Sequence, residues 1–415
     1  MPRAAALLLP LAVSLSAQQT SPAADQNPYL RLMLAARDHA RAHGATASPA
    51  LSPNPVLSPV LSPVPSPVLS PIDRSVLDGS VPLQALHQAG FRVVPWTTND
   101  PAKMLELIHL GVDGIISDRP DLLHEVVVEA RRSTFLSDTS RQRLAAFDIS
   151  AHRGGRGLRP ENTLPAFESG LDNGSTSIET DTGVTSDRKS LLWHDQFLSP
   201  ESCRRSDGKP YSLENRVYIR DISMAEAQHT FVCDKLRRSA VSNPFPDQRN
   251  DIALSPVSIA FARQEGLRSI YVPTHAAQLF EFVRFYSDFY RTGLGRTDPH
   301  ATERALTAEN VRFNLETKIL PDHLPTAAVN PGDPKPPVAI DANHTADPQT
   351  FVDTLTHAIT AAHMQSRAQI QSFDFRTLSL VEEQHPGIPT YYLIEDVRVL
   401  SSEFVPASLR QPPQP

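Results

Sequence analysis

The sequence has very few cysteines, no cluster of basic residues and, beyond its N-terminus, no long apolar run. Cys203 and Cys233 are the two cysteines among 415 residues, and their spacing matches no zinc-binding motif. Charged residues make up 20% of the chain and the formal net charge is −7, which argues against a nucleic-acid partner. The lack of a second apolar run argues against a stable membrane span. The 40% hydrophobic content is enough for one large domain with a full core, or for two smaller ones.

The first 17 residues have the layout of a secretory signal peptide. Arg3 provides a positive start, an apolar run follows, and a zone of small residues ends at Ala17. An N-terminal membrane anchor is the alternative, but the run is short for a bilayer span. We therefore expect an exported protein, periplasmic or secreted. In such a protein the two cysteines could form a disulfide, with two unpaired thiols as the alternative.

Residues 18–75 are predicted to form a helix followed by a Ser/Pro-rich linker. The stretch 27–44 begins with Asn-Pro, has apolar residues at helical spacing and ends at a glycine. The stretch 45–71 repeats Ser-Pro every few residues, which favours an extended, polyproline-like spacer over a helix or a sheet strand.

From residue 76 onward, strands and helices alternate in a pattern that indicates a parallel sheet. The pattern predicts two strands before residue 146, six after it, and a long interruption at about 196–310 that contains one clear helix. Eight strands with helices between them are the count of a closed (β/α)₈ TIM barrel, which we predict as a single domain over 76–415. The predicted strands lie at 91–99, 112–120, 146–154, 176–184, 189–195, 311–318, 367–375 and 388–395.

Three acidic residues stand at predicted strand ends. Glu179 and Asp181 are two positions apart on one strand, so their carboxylates point the same way, and Glu316 lies on a later strand. Because the reactive groups of such barrels sit at the carboxyl ends of the strands, we expect the three to converge. Converging carboxylates stay ionised most easily around a cation, and an all-oxygen set favours Ca²⁺ or Mg²⁺ over zinc.

Two histidines end different predicted strands and could flank one substrate. The imidazoles of His152 and His194 could take a proton from an attacking hydroxyl or water and give one to a leaving alcohol. Arg153 and Lys318 could offset the charge of a phosphate. Each residue alone is more often structural or solvated. The ordered series HRG, PENT, ETD, HD and LETK, each at a strand end or just beyond it, is improbable by chance.

This series resembles the glycerophosphodiester phosphodiesterase family, within the phospholipase-C-like phosphodiesterase barrels. The matching pieces are AHRGGRGLRPENTLPAFESGLDNG, SIETDTGVTSD, LLWHD, VRFNLETK and QIQSFDFRTL. The resemblance implies hydrolysis of glycerophosphodiesters to glycerol 3-phosphate and an alcohol, in glycerophospholipid catabolism. The long insertion resembles that of the exported, calcium-using branch, so Ca²⁺ is expected over Mg²⁺. The implied roles are acid/base catalysis for His152 and His194, metal binding for Glu179, Asp181 and Glu316, and phosphate binding or orientation for Arg153, Glu161 and Lys318.

The segment before residue 126 resembles the last two strands of the same family, which normally close the barrel at the C-terminus. We therefore predict the strand order 7-8-1-2-3-4-5-6, with strands 7 and 8 in 76–125, strands 1–6 in 146–415 and an insertion after strand 3. A circular permutation is the simplest account. A truncated tandem is the alternative, and it would leave open hydrophobic edges. By family analogy Trp96 would line the glycerol pocket, with core packing as the alternative, and Asp118 would lie near the site.

Two features depart from the family pattern. The turn at 185–188 lacks the usual glycine, and the link from Asp181 to His194 is shorter than a parallel crossover. Two other functions also stay open, namely cleavage of intact phospholipids on the same barrel and a non-catalytic surface module. Retention of both histidines and all three carboxylates argues against the second.

Overall fold

Extended segments hydrogen-bond edge to edge around the centre of the molecule. The computed structural model describes residues 27–43, 67–132, 138–237, 243–319 and 343–413. The strands there are β1 (Val68–Pro71), β2 (Gly114–Ser117), β3 (Asp148–Ala151), β4 (Ser177–Val184), β5 (Ser190–Leu192), β6 (Arg204–Arg205), β7 (Phe231–Val232), β8 (Arg312–Thr317), β9 (Ala368–Ser372) and β10 (Thr390–Ile394). Seven of them follow one another in the order β1-β10-β9-β8-β4-β3-β2, and each neighbouring pair is parallel.

The ring is closed by residues 92–98, which we call the bridging segment. On one side, the amide of Val94 donates to the carbonyl of Leu69 in β1 at 2.9 Å. On the other side, the amide of Ile116 in β2 donates to the carbonyl of Pro95 at 2.9 Å. Because β1 and β2 both pair with this segment, the two end strands of the sheet have no free edge.

Helices cover the outside of the ring, and the seven strands of the ring are buried along almost their whole length, as expected for strands covered on both faces. In the described ranges, the helices lack the length and apolar character needed to cross a membrane. They are α1 (Pro28–Ala42), α2 (Asp73–Leu77), α3 (Leu83–Gln88), α4 (Pro101–Leu110), α5 (Pro120–Arg132), α6 (Asp138–Ala145), α7 (Leu164–Asp172), α8 (Met224–Thr230), α9 (Pro256–Gln264), α10 (Ala276–Arg291), α11 (Ala301–Asn310), α12 (Pro348–Ala361) and α13 (Phe375–Gln384).

The predicted barrel is confirmed as the fold class, with one strand assigned wrongly. The predicted strand at 189–195 contains β5, which is antiparallel to the end of β4 and places Leu192 opposite Thr182. This segment is therefore a hairpin, which explains why its link to β4 is too short for a parallel crossover. β1 takes the place in the ring that was assigned to β5, so the ring still has eight members when the bridging segment is counted. If β3 is position 1 of the ring, then β4, β8, β9 and β10 are positions 2 to 5, and β1, the bridging segment and β2 are positions 6 to 8. The chain therefore runs through the ring in the order 6-7-8-1-2-3-4-5 and not in the predicted order 7-8-1-2-3-4-5-6.

The predicted Ser/Pro-rich linker ends earlier than expected, because β1 lies in the tract assigned to it. Val68 and Leu69 are fully buried, and β1 pairs with β10 in parallel register. The barrel therefore begins before residue 76. The predicted signal peptide, residues 1–17, and the Ser-Pro repeats up to residue 66 lie outside the described residues.

The predicted N-terminal helix is present as α1 and packs on the ring. The side chain of Asn27 accepts from the amide of Tyr29 at 3.0 Å and caps the helix. Met33 is fully buried on the inner face. Arg31 Nη2 donates to Gln411 Oε1 at 3.0 Å and so connects α1 with the C-terminal segment. α1 is thus part of the helical layer rather than of a separate tether.

The insertion between β5 and β8 contributes a small second core beside the ring. β6 and β7 form an antiparallel ribbon, and Cys203, just before β6, and Cys233, just after β7, form a disulfide rather than two free thiols. Both half-cystines pack in one apolar cluster with Trp193. Since Trp193 directly precedes His194, this small core supports the chain that carries the histidine.

Candidate active site at the carboxyl ends of the ring strands

The three predicted carboxylates converge at one end of the barrel. Glu179 and Asp181 project from β4, and Glu316 lies opposite Asp181 on the neighbouring strand β8. One carboxylate oxygen of each lies within 4.8 Å of the others, and all three residues are buried. The convergence follows from the parallel register of two adjacent strands, which aligns their carboxyl ends.

The charges in this group are compatible with a cation. Burial and the nearby carboxylates of Asp181 and Glu316 raise the pKa of Glu179 well above its usual range. Burial also raises the pKa of Glu316. Burial opposes the ionisation of Asp181 too, but Arg153, His194 and Lys318, together with the hydrogen bond from Asn162, lower the pKa of that carboxyl. A buried set of oxygen ligands that resists full ionisation fits a hard divalent ion such as Ca²⁺ or Mg²⁺.

Each carboxylate is contacted by a polar side chain from a neighbouring segment. Gln371 Nε2 donates to Glu179 at 2.7 Å, and Asn162 Nδ2 donates to Asp181 at 2.9 Å. Lys318 Nζ lies 3.0 Å from Glu316 Oε1. Two of these partners, the amide side chains, were missed by sequence reasoning, although both lie in the PENT and QIQSFDF pieces.

His152 directly follows β3, and it is held by the carboxylate of Asp118, which directly follows the neighbouring strand β2. Its Nδ1 lies 2.5 Å from Asp118 Oδ1, and its Nε2 lies 3.9 Å from Glu179 Oε2. Burial lowers the pKa of His152 to about 4; the guanidinium of Arg156 acts in the same direction and Asp118 opposes it. Asp118 is held in turn by Arg156 Nε at 2.6 Å and by Asn99 Nδ2 at 2.8 Å. Arg156 and Asn99 were also not identified from the sequence.

His194 approaches the site from the β5 hairpin rather than from the end of a ring strand. Its Nδ1 lies 2.8 Å from Asp195 Oδ1, and about 30% of its side chain is exposed. Burial lowers the pKa of His194, and the positive charges of Arg153 and Lys318 act in the same direction. Each of the two predicted histidines thus has its own carboxylate partner at Nδ1.

Arg153 is fixed between the carboxylates. Its Nη1 lies 3.2 Å from Glu161, its Nε lies 3.3 Å from Asp181, and its backbone amide donates to Glu179 at 2.8 Å. The residue adopts a φ of 50°, a left-handed conformation that non-glycine residues seldom use. Burial opposes the ionisation of Glu161, but Arg153 and Arg237 lower its pKa to about 2. Glu161 is therefore ionised, and its negative charge orients Arg153.

Trp96 lies in the bridging segment and is half-buried. Its indole N–H donates to the carbonyl of Ser70 at 2.9 Å, and its ring meets Phe373 edge to face at 5.2 Å. Lys318 Nζ lies 5.2 Å from the same phenylalanine ring. Trp96 and Phe373 therefore form an aromatic wall that reaches Lys318. Phe373 was not identified from the sequence.

A model of the glycerophosphoryl diester phosphodiesterase family matches residues 18–122 and 152–284. The chain belongs to this family. The resemblance drawn from its motifs is confirmed, whereas the permuted order relative to the family stays a prediction.

Individual family members match shorter stretches. A glycerophosphodiester phosphodiesterase of Bacillus altitudinis is 35% identical over 83 residues, which is 20% of this chain and 31% of that protein. Glycerophosphodiester phosphodiesterase 1 of Rattus norvegicus is 41% identical over 100 residues, 24% of this chain and 26% of that protein. The chain thus spans about a third or less of these curated relatives. A solved Oleispira antarctica phosphodiesterase in complex with the product sn-glycerol-3-phosphate is 15% identical and covers 58% of this chain and 64% of that chain, with a TM-score of 0.32.

Proposed function

We propose that this family member is a metal-dependent glycerophosphodiester phosphodiesterase. It hydrolyses glycerophosphodiesters to glycerol 3-phosphate and an alcohol, in the breakdown of glycerophospholipids. The observation that carries the proposal is the convergence of three buried carboxylates with a histidine whose Nε2 lies 3.9 Å from one of them. Membership of the family supports the same chemistry.

Glu179, Asp181 and Glu316 would hold the cation. When bound, a divalent cation binds and polarises a phosphoryl oxygen and so makes the phosphorus more electrophilic. The three carboxylates are hard oxygen ligands, which both Ca²⁺ and Mg²⁺ accept, and we expect Ca²⁺. The resemblance of the insertion to the calcium-using branch supports the same choice.

The two histidines would transfer the protons. If His152 donates from Nδ1 to Asp118, its Nε2, 3.9 Å from Glu179, keeps a lone pair that can accept a proton. His194 makes the equivalent bond to Asp195. One imidazole removes the proton from the attacking hydroxyl or water as the new P–O bond forms. The other gives a proton to the alcohol oxygen as the old P–O bond breaks.

Arg153 and Lys318 would offset the charge of the phosphate, and Glu161 would keep Arg153 in place. Arg153 already contacts two carboxylates, so it stays beside the reacting group without a substrate to order it. The aromatic wall of Trp96 and Phe373 next to Lys318 would contact the glycerol carbons. This arrangement supports a small polar substrate.

We also propose that the protein is exported to the periplasm or secreted. The layout of the first 17 residues and the Cys203–Cys233 disulfide support this location, because disulfides persist in oxidising compartments. The circular permutation is a further proposal. It is supported by the order of the strands, because the chain passes through ring positions 6, 7 and 8 before positions 1 to 5.

The assay is release of glycerol 3-phosphate from glycerophosphocholine by chelator-treated protein, with Ca²⁺ or Mg²⁺ added back. We expect release with metal and none without it. Glu179→Gln should raise the metal concentration needed for half-maximal activity, and His194→Ala should lower kcat by roughly 10²–10⁴-fold. Glu265→Gln, an exposed carboxylate on the outside, is the control.

Two outcomes would contradict the proposal. One is no release from any glycerophosphodiester when either cation is supplied. The other is cleavage of intact phosphatidylcholine or sphingomyelin in preference to glycerophosphocholine, which would favour the phospholipid-cleaving alternative.

A further inference from the structure

A second group of metal-ligand side chains lies on the outside of the barrel, where α1 packs against α13. His39 lies in the last turn of α1, and His43, four residues later, is the residue that caps the helix at its C-terminus. Glu383 reaches them from α13, and one ligand atom of each residue lies within 4.8 Å of the others. The two imidazole rings are 4.6 Å apart, and His39 Nε2 lies 3.3 Å from Glu383 Oε1.

The hydrogen bonds of the two imidazoles leave ligand nitrogens available. His43 Nδ1 lies 2.9 Å from the carbonyl of His39, so this nitrogen carries the proton and Nε2 has the free lone pair. Donation of the second ring N–H to a backbone carbonyl is the usual arrangement for a metal-bound histidine. His39 Nε2 is buried and lies 3.3 Å from Glu383 Oε1, but it makes no hydrogen bond of proper geometry within the described residues. A buried polar atom of this kind calls for a partner.

We propose that His39, His43 and Glu383 form a Zn²⁺ site. Two imidazole nitrogens and one carboxylate oxygen suit zinc, whereas Ca²⁺ and Mg²⁺ prefer oxygen ligands. The site therefore differs in kind from the all-oxygen group at the barrel mouth. Three protein ligands leave the fourth tetrahedral position to water, which the exposure of His43 and Glu383 permits.

The ion would join two distant parts of the chain. α1 belongs to the N-terminal part of the chain, and α13 lies near the C-terminus, between β9 and β10. An ion bound to both helices exists only in the folded protein, so it stabilises the packing of α1 on the barrel. The site is a structural clamp and takes no part in the proposed hydrolysis.

The test is calorimetric titration of the chelator-treated full chain with Zn²⁺, in excess Ca²⁺ to occupy oxygen-ligand sites. We expect one Zn²⁺ per chain and a rise in Tm when it binds. His39→Ala/His43→Ala should abolish both effects, and Glu383→Gln should weaken Zn²⁺ binding by at least about tenfold. His300→Ala/Glu303→Gln is the matched control, because that exposed His–Glu pair, 3.5 Å apart, has no third ligand beside it in the described part of the chain.

The melting temperature of each metal-free variant checks that it folds. If the double alanine variant does not fold, Glu383→Gln still tests the proposal. Absence of stoichiometric Zn²⁺ binding in the wild type would overturn the proposal. Zn²⁺ binding that survives in Glu383→Gln at full affinity, or that falls equally in His300→Ala/Glu303→Gln, would also overturn it. Glycerol 3-phosphate release by the Zn²⁺-free protein with Ca²⁺ reports on the proposed function separately.

Discussion

His152 Nδ1 lies 2.5 Å from Asp118 Oδ1, although the two residues are 34 positions apart in the sequence. The contact follows directly from strand register. Ser117 at the end of β2 pairs with Ala151 at the end of β3, and the next residue on each strand supplies one partner of the bond. The ring therefore needs both strands in place to orient this histidine, and β2 comes from the part of the chain before residue 126.

Asp118→Asn is expected to lower kcat for glycerophosphocholine by about 10²-fold with little change in KM. The asparagine lacks the negative charge that stabilises the protonated imidazole of His152, and it weakens the hold on the ring. Steady-state kinetics measure the effect. Asp121→Asn, whose carboxylate pairs with Arg119 close by, is the control and should keep wild-type kinetics. A folded Asp118→Asn protein with unchanged kcat would contradict this role.

Some strands could be predicted from local patterns and others could not. β4 and β8 carry acidic residues among apolar ones, so both their position and their chemistry were readable. β1 was missed because four residues, VLSP, at the end of a Ser-Pro repeat carry no strand pattern of their own. Only pairing with β10 and the bridging segment makes them a strand. β5 was placed in the ring because alternation in a short strand does not reveal whether it pairs in parallel or antiparallel fashion.

Some residues of the candidate site could likewise be predicted from the sequence, and others could not. Side chains with distinctive chemistry at strand ends, such as His152 and Glu179, were found from type and order alone. Gln371, Asn162 and Arg156 were missed, because amides and arginines are common in loops and their importance depends on which carboxylate lies next to them. That information is held in the register between strands that are far apart in the sequence.

Leu69→Ala is expected to destabilise the protein by about 2–5 kcal/mol, because the side chain is fully buried in a ring strand and its loss leaves a cavity. The measurement is urea unfolding followed by circular dichroism. Leu294→Ala, at a leucine that is 80% exposed, should change the free energy of unfolding by less than about 0.5 kcal/mol. Equal small effects of both substitutions would mean that residues 68–71 do not belong to the ring.

Reduction of the Cys203–Cys233 disulfide is expected to loosen the small core of the insertion and to lower activity about tenfold. The bond closes a loop with a sequence separation of 30, which corresponds to about 3–4 kcal/mol of restricted chain entropy. Trp193 packs in the same cluster and precedes His194, so loss of order there misplaces the histidine. Hydrogen exchange of residues 196–235 and activity, each with and without reductant, test this. A Cys203→Ser/Cys233→Ser protein should be insensitive to reductant, and full activity of the reduced wild type would contradict the prediction.

Glu382 is expected to make the protein less stable as the pH rises from about 4.5 to about 7. The residue is 2% exposed, and its Oε1 accepts from Thr390 Oγ1 at 2.7 Å and from Tyr392 at 3.1 Å. Burial raises its pKa to about 7, whereas an unfolded chain has a glutamate pKa of about 4.3. The folded state therefore holds a proton that the unfolded state releases. The resulting stability is fully present below the unfolded pKa and is lost as the pH passes through the folded one.

Glu382→Gln removes this titration. As the pH rises from 4.5 to 8, the free energy of unfolding of Glu382→Gln should therefore increase by roughly 3 kcal/mol relative to that of the wild type. The glutamine keeps the Oε1 acceptor, and Oε2 makes no hydrogen bond to the described residues, so any packing cost of the amide is the same at every pH. Urea unfolding at several pH values measures the difference, and Glu125→Gln at an exposed position should follow the wild type. A difference between Glu382→Gln and the wild type that stays constant across this range would mean that Glu382 is ionised in the folded protein. In that case the hydrogen bonds from Thr390 and Tyr392 outweigh its burial.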